Sequence, residues 1–148
     1  MDIKAILLDF DGTTLQRDQV FISVRNMYAI RKALDKGIYI VPSTGRAENM
    51  QPPQIEAEKR IRYYITSGGA RVVDHSTGEI IHEEILTPED SGGMCRVFEG
   101  RNIYTEIAAG GKIYLEKAVA DHLEQYPVPS HHVWFIEAGR QIVIDKPS

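Results

Sequence analysis

The sequence predicts an α/β fold whose first half builds a parallel sheet, followed from about residue 85 by a mixed α+β segment. Three observations predict it. Short apolar runs at 3–8 and 38–41 flank one amphipathic helical pattern, which is the strand, helix, strand order of a parallel pair with a right-handed crossover. A third short strand pattern, 62–66, follows a proline break. From about Leu86 the pattern changes to helices mixed with strand pairs that are joined by glycine turns.

Each element has a local cause. Residues 3–8, "IKAILL", are too short for a helix and nearly all apolar, which is how a strand buried on both faces reads. Ser23 stands as an N-cap, Val24, Met27, Ile30 and Leu34 follow at helical spacing, and Gly37 fits the C-terminal stop. Pro52 and Pro53 interrupt the chain after the second strand, a helical pattern resumes over 55–60, and 62–66 is the third strand. "STGEIIHEEIL" reads as a hairpin with its turn near Thr77 and Gly78. Thr87 and Pro88 open a helix weakened by Gly92 and Gly93. "NIYTEIAAGGKIYLEK" reads as two strands around Ala-Ala-Gly-Gly, 119–126 as a helix, and "VWFIEAGRQIVI" as two more strands. His131 and His132, taken as loop residues, would face opposite sides of an extended segment and make a poor pair of ligands for one metal.

Composition narrows the function classes. The chain has 148 residues, 43% hydrophobic and 26% charged, enough for one sizeable core or for one domain and part of another. No apolar run approaches the roughly 20 residues of a membrane span, and no signal-like segment opens the chain, so the expected setting is cytoplasmic. The single cysteine, Cys95, cannot form an internal disulfide and is expected to be structural. The net charge of −4 comes without a basic stretch, which points away from nucleic acid and anionic membranes as partners. An anionic substrate would need backbone amides, a lysine or a metal.

In parallel sheets ligands bind beyond the carboxyl ends of the strands. Asp9, Asp11, Ser43, Thr44, Ser67 and Gly68 all fall there. Two acids so close repel when both are ionised, so a shared proton or a divalent cation should stabilise them. Mg²⁺ suits such hard oxygens. Thr44 and Gly45 supply a hydroxyl and exposed amides, the donors a phosphoryl group requires. Taken singly, Asp-Gly is a common turn and Thr-Gly-Arg an ordinary strand exit; their joint placement points to a site.

"LLDFDGTTL" resembles the first motif, D-x-D-G-T, of the haloacid dehalogenase superfamily, and "IVPSTGR" resembles its second. The resemblance implies that Asp9 is a nucleophile that becomes phosphorylated, and that Asp11 is the general acid and then the general base. It implies a Mg²⁺ cofactor held by Asp9 and the backbone carbonyl of Asp11. Thr44 and Gly45 would bind the phosphoryl group, with Ser43 the lesser candidate because Thr44 directly precedes Gly-Arg. Arg46 and Gly68 are read as substrate-contacting or structural. "YYITSGGARVVD" resembles the T-x-N-G-A turn of the Cof-type branch (subfamily IIB, C2-capped), with Gly68 where asparagine stands in the family.

Between Gly12 and Thr44 there is room for one helix, so a cap must come later. The expected organisation is the N-terminal half of a Rossmann-like core over 1–84 and an α+β C2-type cap over 85–148. Tyr104, Glu106 and Tyr114 are candidate specificity positions, against a plainer reading as sheet surface. The family's later lysine and its G-D-x-x-x-D motif are not in the chain, Lys146 being the candidate for the lysine, so a chain truncated in its core is implied. The expected function is a Mg²⁺-dependent phosphatase of a small phosphorylated metabolite such as a sugar phosphate, with the activity of this chain left open. The alternatives are a non-catalytic binding remnant, which an activity assay separates, and a phosphomannomutase-like phosphotransferase, which a coupled isomerisation assay separates. The family's first strand is central, so self-association through an open sheet edge is also expected.

Overall fold

A computed structural model describes residues 2–98, 100–101 and 103–145. Strand β1 (Ala5–Leu8) pairs parallel with β2 (Tyr39–Pro42), Ala5 opposite Tyr39 and Leu8 opposite Pro42. Helix α1 (Val24–Asp35) makes the crossover. It begins where Ser23 Oγ accepts the Asn26 N–H at 3.1 Å, and the chain leaves it through Gly37 at φ +73°, a left-handed conformation that costs glycine little. Its Met27 and Ile30 are buried in a core with Phe10, Ile22, Ile40, Ile55, Ile61, Tyr64 and Val73.

Strand β3 (Tyr63–Thr66) touches the end of β2 through one parallel bridge between Ser43 and Ile65. It continues antiparallel into β4 (Arg71–Asp74) and β5 (Glu79–Glu83), with Gly78 at φ +78° in the expected turn. The helix expected over 55–60 is instead α2 (Pro53–Ala57). Proline's fixed φ pre-sets a first helical turn, so the break nucleates the helix that was expected to follow it. The expectation that 3–8 is buried on both faces is overturned, since Ile3 is 55% and Leu7 62% exposed. Among the described residues β1 pairs with β2 alone, which leaves its second edge bare.

The second half opens with α3 (Pro88–Phe98), where Thr87 Oγ1 accepts the Asp90 N–H at 3.1 Å and the two glycines are tolerated. Cys95 lies on this helix and is exposed, so it is not a structural core thiol. Strands β6 (Glu106–Ala109) and β7 (Lys112–Glu116) form a hairpin through Gly110 and Gly111, both left-handed at φ +55° and +76°. The helix expected over 119–126 is divided into α4 (Lys117–Ala120) and a 3₁₀ turn, Leu123–Gln125.

The larger correction is α5 (Ser130–Glu137), a helix where a strand was expected. It precedes β8 (Ile142–Ile144), which runs parallel to β7. A parallel neighbour needs a crossover, and a short apolar run cannot by its own periodicity tell helix from strand. His131 and His132 therefore lie in a helical turn, not in a loop. A second cluster joins Ala47 and Met50 to Ile113 and Phe135, so packing crosses residue 84. Lys146 lies outside the described residues. No helix among them is long and apolar enough to cross a membrane.

Candidate active site

The parallel register of β1 and β2 makes Asp9 and Ser43 leave the sheet side by side. The Ser43 N–H donates to Leu8 O at 2.9 Å, the Thr44 N–H to Ile65 O at 3.0 Å, and the Gly68 N–H to Thr44 O at 3.1 Å. These bonds tie three strand exits together. They enclose a cleft of about 260 Å³ lined by Asp9, Ser43, Thr44, Gly45, Ile65, Gly68 and Gly69. Five residues expected from sequence at the site, Asp9, Ser43, Thr44, Gly45 and Gly68, thus share one space.

Thr44 is buried, and its Oγ1 accepts the Arg46 N–H at 3.2 Å, which orients the side chain from its own loop. Gly68 has φ +67°, between Ser67 at +53° and Gly69 at +97°. Glycine at position 68 is therefore used for its left-handed backbone. Asp9 is exposed, and its Oδ2 accepts the Thr13 hydroxyl at 2.6 Å. Gly12 at φ +75° turns the chain back for that contact. Sequence reasoning assigned Thr13 no role; the first threonine of "DGTT" was the available signal.

Asp11 stands outside the cleft lining. Its carboxylate is gripped by Arg46, Nε to Oδ2 at 2.8 Å and Nη2 to Oδ1 at 2.5 Å, a bidentate pair. Arg46 also donates to Gln19 O at 2.6 Å and Met50 O at 3.4 Å, and its guanidinium carbon lies 5.4 Å from the centre of the Phe135 ring. The side chain is 8% exposed, so this arginine is a fixed strut between the first turn and α5.

The candidate specificity residues form a different cluster. Glu106 Oε1 accepts from the Tyr104 hydroxyl and from Gln141 Nε2, and lies 2.9 Å from His132 Nδ1. Burial pushes the Glu106 carboxyl up, but the bonds from His132 and Tyr104 outweigh it and leave the group below its ordinary range. Tyr114 is half-buried in β7 and takes no part in this cluster.

Asp9 and the Asp11 carbonyl are hard oxygen donors of the kind Mg²⁺ takes. The described residues contain no group of three or more His, Cys, Asp or Glu side chains placed to hold a metal ion. The donor set fits the ion in kind and would supply part of its coordination.

Known proteins share this fold. A phosphatase of 5-amino-6-(5-phospho-D-ribitylamino)uracil from Bacillus subtilis is 40% identical over 86 residues, covering 58% of this chain and 34% of the relative. The structure of a haloacid dehalogenase-like hydrolase from B. subtilis superposes with a TM-score of 0.73 at 24% identity, covering 97% of this chain and 55% of that one. A subclass IIB sugar phosphatase shares the fold with a TM-score of 0.66 at 22% identity, covering 81% of this chain and 47% of its own. The matched region is a little over a third of the length of the curated relatives, 34% and 39% for two of them. Residues 6–142 match the sequence profile of haloacid dehalogenase-like hydrolases, and the chain belongs to that family.

Proposed function

We propose that this chain carries the nucleophile and the phosphate-binding loop of a phosphatase acting on a small phosphorylated metabolite. The observation that carries the reading is the single cleft shared by the Asp9 carboxylate, Thr44 and the Gly45 backbone. The Thr44 hydroxyl and the loop amides receive the phosphoryl oxygens. Thr13 holds Asp9 Oδ2, which leaves Oδ1 as the attacking atom. The Oδ1–P bond forms as the P–O bond to the leaving group breaks. Asp11, protonated, gives its proton to the leaving oxygen; ionised again, it takes one from the water that cleaves the aspartyl-phosphate. Substrate must therefore draw Asp11 away from Arg46. Asp9 and the Asp11 carbonyl would hold Mg²⁺, which when bound offsets phosphoryl charge.

A relative named for a phosphoribityl compound supports a polyol or sugar phosphate as substrate. The division we propose puts the core at 1–84 and the cap at 85–148, supported by a first hydrophobic cluster drawn wholly from 10–73. The test is release of phenol from a generic aryl phosphate by the purified chain with Mg²⁺. Turnover that Asp9→Asn abolishes is the expected result. Turnover that survives Asp9→Asn overturns the nucleophile, and phosphate binding without any turnover favours the binding remnant.

A further inference from the structure

The loop that leaves β2 brings Thr44 and Gly45 to the cleft and then runs through a 3₁₀ turn, Glu48–Met50, toward α2. That turn docks on the second half of the chain. The Asn49 N–H donates to Gly111 O at 3.0 Å, Asn49 Oδ1 accepts the Ile113 N–H at 3.2 Å, and Asn49 Nδ2 donates to Arg140 O. Strand β8 pairs with β7 from Ile142 opposite Tyr114 onward, so Ile113 and Arg140 lie just before the two strands meet. The Asn49 carboxamide, an acceptor beside a donor in one plane, fills that gap as a peptide unit would.

Other contacts run along the same seam. Ala47 and Met50 are buried with Ile113 and Phe135. A Cβ at Gly111 would stand 2.6 Å from Glu48 Oε2 and 3.2 Å from Glu48 Cβ, so the tip of the β6–β7 hairpin meets the turn at a distance that suits glycine. At the far end of the loop Arg140 Nη1 donates to Gln51 O at 3.4 Å and pairs with Glu56 Oε1 at 2.6 Å. At the near end the Thr44 N–H is tied to Ile65 O. Gly45 lies between these anchors, exposed and without a side chain, so the aim of its amide depends on its flanks.

We infer that Asn49 is a positioning residue for the phosphate: by clamping the turn to Gly111, Ile113 and Arg140 it fixes the downstream flank of the Thr44–Gly45 loop and couples phosphate binding to the β7–β8 sheet. This rests on the phosphatase reading above. Asn49 acts through the loop and does not touch the substrate. A loop with a free flank spreads its amide over many directions, and its apparent affinity falls with the fraction that points correctly. The coupling is reciprocal, so bound phosphate must tighten the Asn49 contacts as those contacts tighten phosphate.

The experiment is an amide NMR titration of the labelled 148-residue chain with inorganic phosphate, followed by hydrogen exchange with and without saturating phosphate. Phosphate should shift the Thr44 and Gly45 amides. Asn49→Ala, which loses both side-chain bonds, should weaken phosphate by about 10-fold. A merely structural role would lower the folded fraction and leave the affinity of the folded molecules, which the spectra observe separately, unchanged. In the unsubstituted chain phosphate should slow exchange of the Ile113 amide, which is bonded to Asn49, more than that of Leu115, buried in the same strand. That comparison decides the matter even if Asn49→Ala does not fold. No phosphate shift at Thr44 and Gly45 overturns the phosphate site and this inference together. A phosphate shift with affinity within about twofold in folded Asn49→Ala, or with equal slowing of Ile113 and Leu115, overturns this inference alone.

Discussion

Arg46 and Asp11, 35 residues apart in sequence, form a two-bonded ion pair in which each guanidinium nitrogen meets a different carboxylate oxygen. A lysine could satisfy the charge but not the fork. Arg46→Ala is expected to destabilise the fold by about 1 to 2 kcal/mol, at the low end of charge-assisted bonds because Asp11 is partly exposed. Arg46→Lys should recover less than half. Urea unfolding of the three proteins measures it, and an unchanged midpoint in Arg46→Ala would contradict the strut.

The two acids should fail differently. In a form of the protein that turns over, Asp9→Asn is expected to abolish activity, whereas Asp11→Asn should slow it by about 10²- to 10⁴-fold and leave the aspartyl-phosphate long-lived. Rapid quench with mass spectrometry separates the two outcomes. Near-normal turnover by Asp9→Asn would remove it as nucleophile.

Asp74 gives the fold a pH dependence. It is 2% exposed and accepts from Arg62 Nε at 2.7 Å and from Ser76 Oγ at 2.6 Å. The Arg62 bonds, helped by Ser76, hold its carboxyl well below the usual carboxylate range. A carboxyl depressed in the folded state contributes stability that is present above its unfolded value, about pH 4, and that is lost as pH falls toward the folded value. The urea midpoint should drop below about pH 4, and Asp74→Asn should flatten that drop. An equally steep drop in the variant would place the dependence elsewhere.

Magnesium should bind weakly, because Asp9 and the Asp11 carbonyl would be only part of a site for an ion that wants near-octahedral oxygens. Titration calorimetry should show no saturation at micromolar Mg²⁺, and a chelator should leave thermal unfolding unchanged. Tight stoichiometric binding would mean that further acids complete the site.

The bare edge of β1 should associate. Ile3 and Leu7 are exposed beside strand groups without a second neighbour among the described residues. We expect light scattering to report species larger than a monomer, and Leu7→Lys to reduce them. A monodisperse monomer in the unsubstituted chain would contradict this.

Local chemistry made much of the protein legible. Ser23 and Gly37 bound α1 because capping and left-handed turns act within a few residues, and Gly110 and Gly111 mark the β6–β7 hairpin for the same reason. Asp9 and Thr44 could be read as neighbours because a β-α-β order implies which strand ends meet. What the tertiary structure alone decided involves partners distant in sequence. The run around Trp134 and Phe135 became α5 because β8 had to arrive parallel to β7, a constraint that its own pattern does not carry. Leu7 is exposed because burial of a strand depends on its neighbours and not on its side chains. Arg46 found Asp11, and His132 found Glu106, across 35 and 26 residues, since a charged side chain announces its charge in the sequence but takes its partner from the packing.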